Sequence, residues 1–132
     1  MIENRLMGKV VFWAGAVIDG GIAISWFLIA AGFSLPNILN GYISQGADYQ
    51  LAMFIGALFM SAWTVLLIWG AMAPGERKGL LMITAIFLLL SVGLEVLFYH
   101  ELLASTGFYF GCTKRVLIAV VMVWTYRRLG RG

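Results

Sequence analysis

The sequence predicts an all-α protein, a bundle of four transmembrane helices that forms one integral membrane domain over residues 1–132. Three observations predict this class: an apolar composition, four long apolar runs, and basic residues at the ends of those runs. Of the 132 residues, 62% are hydrophobic and only 11% are charged, whereas soluble proteins carry about 25% charged residues. Lipid is therefore the expected solvent for most of the surface.

The four apolar runs have the length of membrane spans. They cover residues 10–33, 51–73, 80–99 and 107–126. About 20 residues cross a hydrocarbon core of roughly 30 Å at a rise of 1.5 Å per residue. In lipid a helix satisfies its own backbone hydrogen bonds, so each run is predicted to be helical. The fourth run is long enough only if it includes Lys114 and Arg115.

The basic residues predict the orientation, because lysines and arginines are retained on the cytoplasmic side during insertion. Seven of the nine fall on one side of a four-span arrangement: Arg5, Lys9, Arg77, Lys78, Arg127, Arg128 and Arg131. Only Lys114 and Arg115 fall towards the other side. We therefore expect a multi-pass protein of the cytoplasmic (inner) membrane with both termini in the cytoplasm.

The connection between the first two spans carries a helical pattern. Its apolar residues are spaced i, i+3, i+4, i+7 and i+8, as on one face of a helix; they are Leu35, Ile38, Leu39, Tyr42 and Ile43. This spacing predicts a short amphipathic helix over about 35–45 on the outer membrane face. Two roles stay open for it, an interfacial anchor and a lid over the outer ends of the bundle.

The turn between the second and third spans, residues 73–79, is short enough only for a hairpin. The two helices are therefore expected to be antiparallel neighbours. Its sequence, Trp69-Gly followed by Pro74-x-Glu-Arg-Lys78, resembles the turn of small, uncharacterised four-helix prokaryotic membrane proteins. The resemblance covers this hairpin, supports the topology and implies no activity.

Four ionisable residues lie inside the predicted spans: Asp19, Glu95, Lys114 and Arg115. Each costs roughly 2.5 to 3.5 kcal/mol on insertion scales, so such residues usually face the bundle interior and pair. The helix rise places them about 14, 22, 18 and 16 Å above the cytoplasmic boundary, in one slab reaching into the outer half. We predict the pairs Asp19 with Arg115 and Glu95 with Lys114.

These charges define the candidate ligand-binding site. The predicted lining residues are Asp19, Glu95, Lys114, Arg115, Trp26, Tyr99 and His100. Small residues around Asp19 indicate that it faces protein, and the polar stripe of the third span continues from Glu95 to Tyr99 and His100 at the outer mouth. Three interpretations stay open: the charges fix helix packing, they bind an ion or a small polar or amphipathic molecule, or they recognise a partner.

Several function classes find no support in the sequence. One cysteine, Cys112, allows no intrachain disulfide and no Cys-x-x-Cys redox pair. One histidine without a second ligand at metal-binding spacing predicts no metal, haem or other cofactor site. The basic residues lie at span ends rather than on one face, so no nucleic-acid partner is expected.

The leading prediction is a bundle with an outward-facing charged pocket that binds or moves a small ligand or ion. The alternative is a non-catalytic accessory subunit of a larger membrane complex, in which the charges are structural. An enzyme acting on lipid-soluble substrates comes third, and no catalytic residue is assigned. The bilayer is the expected partner, while small residues of the second span leave open a homodimer or another membrane protein.

Overall fold

The computed structural model of the protein describes residues 2–131. The helices are α1 (Ile2–Ala30), α2 (Ala47–Met72), α3 (Gly79–Phe98), α4 (His100–Leu103) and α5 (Thr106–Leu129). Of these, α1, α2, α3 and α5 are long and apolar enough to cross a membrane. The all-α fold class and the four predicted spans are therefore confirmed, and α1 extends beyond its apolar run to include the basic residues near the N-terminus.

The four long helices pack as two close pairs. α1 lies against α2, α3 lies against α5, and contacts between α1 and α5 join the pairs. α2 and α3, although connected by the short predicted hairpin, approach each other over only a small part of their length. The bundle is therefore closed within each pair and open between α2 and α3.

Glycines permit the close packing of α1 on α2, as small residues do in membrane helix pairs. The Phe12 ring, which is fully buried, lies against Gly70, where an added Cβ would overlap it. Near the other end of the pair, the Trp26 ring lies 2.8 Å from the position of a Cβ built on Gly56. Gly56, one of the small residues of the second span, therefore packs against α1 of the same chain.

The two ends of the bundle differ in what they contain. At one end the Asn4 amide donates to the Arg128 carbonyl at 3.3 Å, and Gly8 packs against Pro74 and Leu129. This terminal end holds the first and last described residues, Ile2 and Arg131, and the α2–α3 turn. The opposite, loop end holds the connection 31–46 and α4. The arrangement agrees with the predicted topology, and which side of a membrane each end faces stays a prediction.

The connection 31–46 is not a helix, so the predicted amphipathic helix over 35–45 is wrong. Its backbone turns between Asn37 and Gly41: the Gly41 amide donates to the Asn37 carbonyl at 2.7 Å, and the Asn37 amide donates to the Tyr42 carbonyl at 2.8 Å. The Asn37 Oδ1 accepts from the Leu39 amide at 3.0 Å. Asparagine side chains stabilise such turns in competition with helix, and Gly41 has a φ of 73°, outside the helical region.

Candidate functional site

Arg115 is the largest fully buried side chain among the described residues, with 1% of its surface exposed. It projects from α5 towards α3, where its Nη2 lies 2.5 Å from Glu95 Oε2 and its Nη1 donates to Ser91 Oγ at 3.0 Å. Its Nε donates to the Gly111 carbonyl at 3.3 Å. Ser91 and Glu95 lie one turn apart on α3 and therefore face α5 together. The buried guanidinium thus has a carboxylate, a hydroxyl and a carbonyl as acceptors.

The loop covers this ion pair at the loop end. The Asn40 amide Nδ2 reaches Glu95 Oε1 at 3.5 Å, and the Leu39 carbonyl lies directly against Gly111 of α5. Lys114 Nζ donates to the Ile38 carbonyl at 3.2 Å and holds the loop from the other side. We refer to Ser91, Glu95, Arg115 and Asn40 as the charge cluster. It joins α3, α5 and the loop, with Arg115 buried and 20% of the Glu95 side chain exposed.

Both predicted ion pairs are wrong. Arg115 pairs with Glu95 rather than Asp19, and Lys114 binds a loop carbonyl rather than Glu95. Lys114 and Arg115 are consecutive residues of α5. Consecutive residues of a helix point about 100° apart, so only one of the two can face α3. The planar guanidinium also suits the combined carboxylate and hydroxyl better than an ammonium does. Since α5 packs closely on α3, the residue with the better fit is buried there and Lys114 turns towards the loop.

Asp19 lies apart from the charge cluster. Its half-buried side chain projects from α1 into the opening between α2 and α3. The opening is a groove of about 560 Å³ lined by Asp19, Phe59, Met60, Trp63, Thr84, Phe87 and Leu88. We call it the side groove. Glu95 is seven residues beyond Leu88 on α3, which corresponds to about 10 Å along the helix axis.

The walls of the side groove offer no counter-charge to Asp19. The Trp63 indole donates to Thr84 Oγ1 at 3.1 Å, and the Thr84 hydroxyl donates to the Leu80 carbonyl at 2.7 Å. These polar groups are therefore occupied by each other and by the backbone. Among the residues that the structure describes, no lysine or arginine forms an ion pair with Asp19. Among residues 2–131, Asp19 is thus the one charged residue that lines the groove. The other lining side chains are apolar, except for the hydrogen-bonded polar groups of Trp63 and Thr84.

The side groove opens sideways rather than towards either end. Phe59 of α2 and Phe87 of α3 form its rim, with 73% and 63% of their surfaces exposed. Both belong to helices long and apolar enough to span a membrane. Exposed aromatic side chains in the middle of such helices face hydrocarbon in a bilayer. A lipid-soluble molecule could therefore reach Asp19 directly from the membrane.

The remaining predicted site residues are not part of either arrangement. The Trp26 indole donates to Asn37 Oδ1 at 3.2 Å and connects α1 to the loop. Tyr99 is 54% exposed at the end of α3, and His100 is exposed with its Nε2 3.5 Å from Tyr109 Oη. None of the three lines the side groove. The structure therefore divides the seven predicted residues instead of gathering them in one pocket.

Sequence reasoning missed Asn40 and the two phenylalanines of the groove rim. The apolar spacing predicts a helix that includes Asn40, although the Asn40-Gly41 dipeptide is itself a turn signal. Phe59 and Phe87 look like any lipid-facing residues, and only the gap between α2 and α3 gives them a role. Within residues 2–131, no group of three histidine, cysteine or acidic side chains is placed to hold a metal ion.

The fold and these two arrangements define the protein as a multi-pass membrane bundle with a closed ion pair and an open groove. No protein-family model, curated protein or solved structure matches the chain. The resemblance of its hairpin to small four-helix prokaryotic membrane proteins therefore stays a prediction.

Proposed function

We propose that the protein binds a small lipid-soluble cation in the side groove, with Asp19 as its counter-ion. The observation that supports this most directly is the Asp19 carboxylate, which faces a groove of about 560 Å³ without an ion-pair partner among the described residues. Small-molecule sites typically measure about 300–1,000 Å³ and combine apolar walls with few polar groups. The side groove has both properties.

The charge of the ligand follows from the cost of an ionised group in hydrocarbon. A carboxylate inside a span is tolerated when a positive charge neutralises it, and here the protein supplies none within residues 2–131. A protonated amine or another organic cation would supply it. The aromatic faces of Phe59, Trp63 and Phe87 add attraction for a cation. An apolar body on the ligand would fill the remaining groove and replace lipid there.

The charge cluster is a poorer binding site. Glu95 is already paired with Arg115 and reached by Asn40, so a ligand would have to displace a buried guanidinium from its partner. That displacement would leave an uncompensated buried charge, which costs about 3–5 kcal/mol. We therefore assign the cluster a structural role and restrict binding to Asp19. Glu95 also lies about 10 Å along α3 beyond Leu88 of the groove lining, and this separation favours binding at Asp19 over an ion path through both carboxylates.

The test uses tetraphenylphosphonium, a lipophilic cation, with purified protein in lipid nanodiscs. Quenching of tryptophan fluorescence measures binding, because Trp63 lines the groove. Asp19→Asn keeps the shape and removes the charge, and we expect it to weaken binding about tenfold or more, the loss of a charge-assisted contact. Asp48→Asn is the matched control, since Asp48 is an exposed aspartate in the first turn of α2.

Tetraphenylborate, an anion of closely similar size and shape, tests charge recognition when wild type and Asp19→Asn are compared in the same lipid. The proposal expects Asp19→Asn to weaken binding of the cation about tenfold or more and not to weaken binding of the anion, because the carboxylate attracts the cation alone. Equal binding of the cation by wild type and by folded Asp19→Asn protein would overturn the proposal. The accessory-subunit alternative would then be tested by co-purification of a partner in mild detergent.

A further inference from the structure

A second cavity lies at the terminal end, away from the side groove. It has a volume of about 490 Å³ and is formed by the first turns of α1 and by the α2–α3 turn. Arg5 and Lys9 line it from α1, and Glu76 lines it from the turn. Apolar side chains, among them Leu6 and Met72, complete the lining. Three charges of mixed sign thus share one cavity with apolar surface.

These charges are not engaged with one another. Arg5 and Lys9 lie one turn apart and therefore point to the same side of α1. Among residues 2–131 the structure contains one ion pair, between Arg115 and Glu95. Neither Arg5 nor Lys9 is therefore paired with Glu76. All three side chains belong to the accessible surface of the cavity. The cavity offers two positive charges on one wall and one negative charge on the other.

The position of the cavity matches the depth of lipid headgroups. Lys9 directly precedes the apolar run of α1, and Glu76 follows the end of α2 by a few residues. Charged residues at span ends lie at the interface between hydrocarbon and headgroups. Met72, with 74% of its surface exposed, belongs to the membrane side of the same cavity. A molecule bound here has its polar part among the charges and its apolar part along the helices.

We propose that this cavity binds a phospholipid with a phosphoethanolamine headgroup. The phosphate would be held by Arg5 and Lys9, since both bases form charge-assisted hydrogen bonds to phosphate oxygens. The ammonium, a few bonds away in the same headgroup, would lie against Glu76. The acyl chains would follow the apolar side chains into the bilayer. Both signs of charge in the cavity are used, which a purely anionic headgroup would not achieve.

The alternatives differ in their fit to Glu76. A phosphoglycerol headgroup is anionic and has no cation to place against the carboxylate, so Glu76 repels it. A phosphocholine headgroup has a cation, but its three methyl groups leave no N–H to donate to the carboxylate. Glu76 is therefore the residue that determines headgroup selectivity, while Arg5 and Lys9 contribute affinity for any phospholipid phosphate.

The experiment is native mass spectrometry of the protein released from micelles that contain equal amounts of phosphatidylethanolamine, phosphatidylcholine and phosphatidylglycerol of identical chains. Wild type is expected to retain phosphatidylethanolamine at least about threefold over each competitor, a modest specificity for one ionic contact at an interface. Glu76→Gln should lose this preference and retain phosphatidylglycerol at least as well. The double variant Arg5→Gln with Lys9→Gln should retain about tenfold less of all three lipids.

Two controls match these variants: Glu101→Gln, an exposed acid at the loop end, and Arg131→Gln, an exposed base beyond α5. Both should behave like wild type. Unchanged phosphatidylethanolamine preference in Glu76→Gln would overturn the proposal. So would displacement of the lipid by an equal concentration of soluble glycerophosphoethanolamine, because that result would assign the cavity to a free headgroup. Neither result depends on Asp19 or on the side groove.

Discussion

The two carboxylates inside the bundle, Glu95 and Asp19, have the same chemistry and opposite surroundings. Glu95 lies between two closely packed helices and contacts Arg115 at 2.5 Å and Asn40 at 3.5 Å. Asp19 faces the gap between α2 and α3 and has apolar and aromatic side chains around it. The difference teaches that the packing of the surrounding helices, rather than the position within a span, determines whether a carboxylate is paired or left available.

The pairing of the helices is the physical cause of this difference. α3 and α5 are close enough for one long side chain to bridge them, whereas α2 and α3 approach each other over only a small part of their length, although the Trp63 indole donates to Thr84 between them. A closed interface forces buried polar groups to satisfy one another. An open one leaves a carboxylate available to whatever enters from the bilayer.

The largest effect is expected from Glu95→Gln, which removes the charge opposite Arg115. An uncompensated buried guanidinium should lower the free energy of unfolding by about 3–5 kcal/mol. Equilibrium unfolding in mixed detergent measures it, with Glu101→Gln as the exposed control. The double variant Glu95→Gln with Arg115→Met should recover most of the loss, because it removes both charges. A loss below about 1 kcal/mol, the usual value of an exposed pair, would show that the cluster is not the closed element described above.

The next effect is expected from Gly111→Ala, which separates the loop from the cluster. The added Cβ would overlap the Leu39 carbonyl, and such overpacking costs typically about 1–3 kcal/mol. Cys112, half-buried with its Sγ 3.8 Å from Arg115 Nη2, is a built-in reporter. Its rate of maleimide labelling should rise as the loop is displaced.

Gly93→Ala is the matched control for this variant, because a Cβ at Gly93 would meet nothing within 4 Å. It should leave the labelling rate of Cys112 unchanged and raise helix stability slightly, since alanine is favoured over glycine by about 1 kcal/mol in a helix interior. Identical labelling of the two variants would contradict the placement of the loop on α5.

Leu88→Ala sharpens the comparison from the side of the groove. Leu88 lines the groove, so the shorter side chain should remove apolar contact with the ligand and weaken tetraphenylphosphonium binding about tenfold, or about 1.4 kcal/mol. The control is Leu90→Ala, which makes the same change at a residue with 48% of its surface exposed and outside the groove. Equal loss in both variants would point to a change in the bilayer contact of α3 rather than in the groove.

The smallest effect on stability is expected from Asp19→Asn. The aspartate has no ion-pair partner among the described residues, so its neutralisation should change the free energy of unfolding by less than about 1 kcal/mol, as for substitutions that break no buried network. The same unfolding assay applies as for Glu95→Gln, and the contrast between the two is the informative quantity. A loss as large as that of Glu95→Gln would mean that Asp19 is structural too.

The sequence predicts the four spans well because span length and apolar composition are imposed by the bilayer itself. It also identifies Glu95 and Arg115 as residues that must face protein. It cannot choose their partners, because that choice depends on which helices pack together and at what rotation. The prediction for the loop is wrong for a different reason. The spacing of Leu35, Ile38 and Leu39 favours a helix, but the Asn37 side chain and the positive φ of Gly41 stabilise a turn instead.

The side groove could not be predicted from any residue pattern. The groove is a gap between helices. It forms because α2 packs on α1 and α3 packs on α5, so that α2 and α3 approach each other over only a small part of their length. The depths of the charges predict that Asp19 pairs with Arg115, and the sequence gives no signal that Arg115 pairs with Glu95 instead. The sequence therefore identifies Asp19 as a charge inside a span, but it does not show that Asp19 has no ion-pair partner among the described residues.

The buried Arg115 also bears on the biogenesis of the protein. α5 is the least hydropathic of the four spans because it carries Lys114 and Arg115. A helix with two positive charges partitions poorly into lipid by itself. Since Glu95 on the preceding span neutralises Arg115, α5 should enter the bilayer more readily together with α3 than alone.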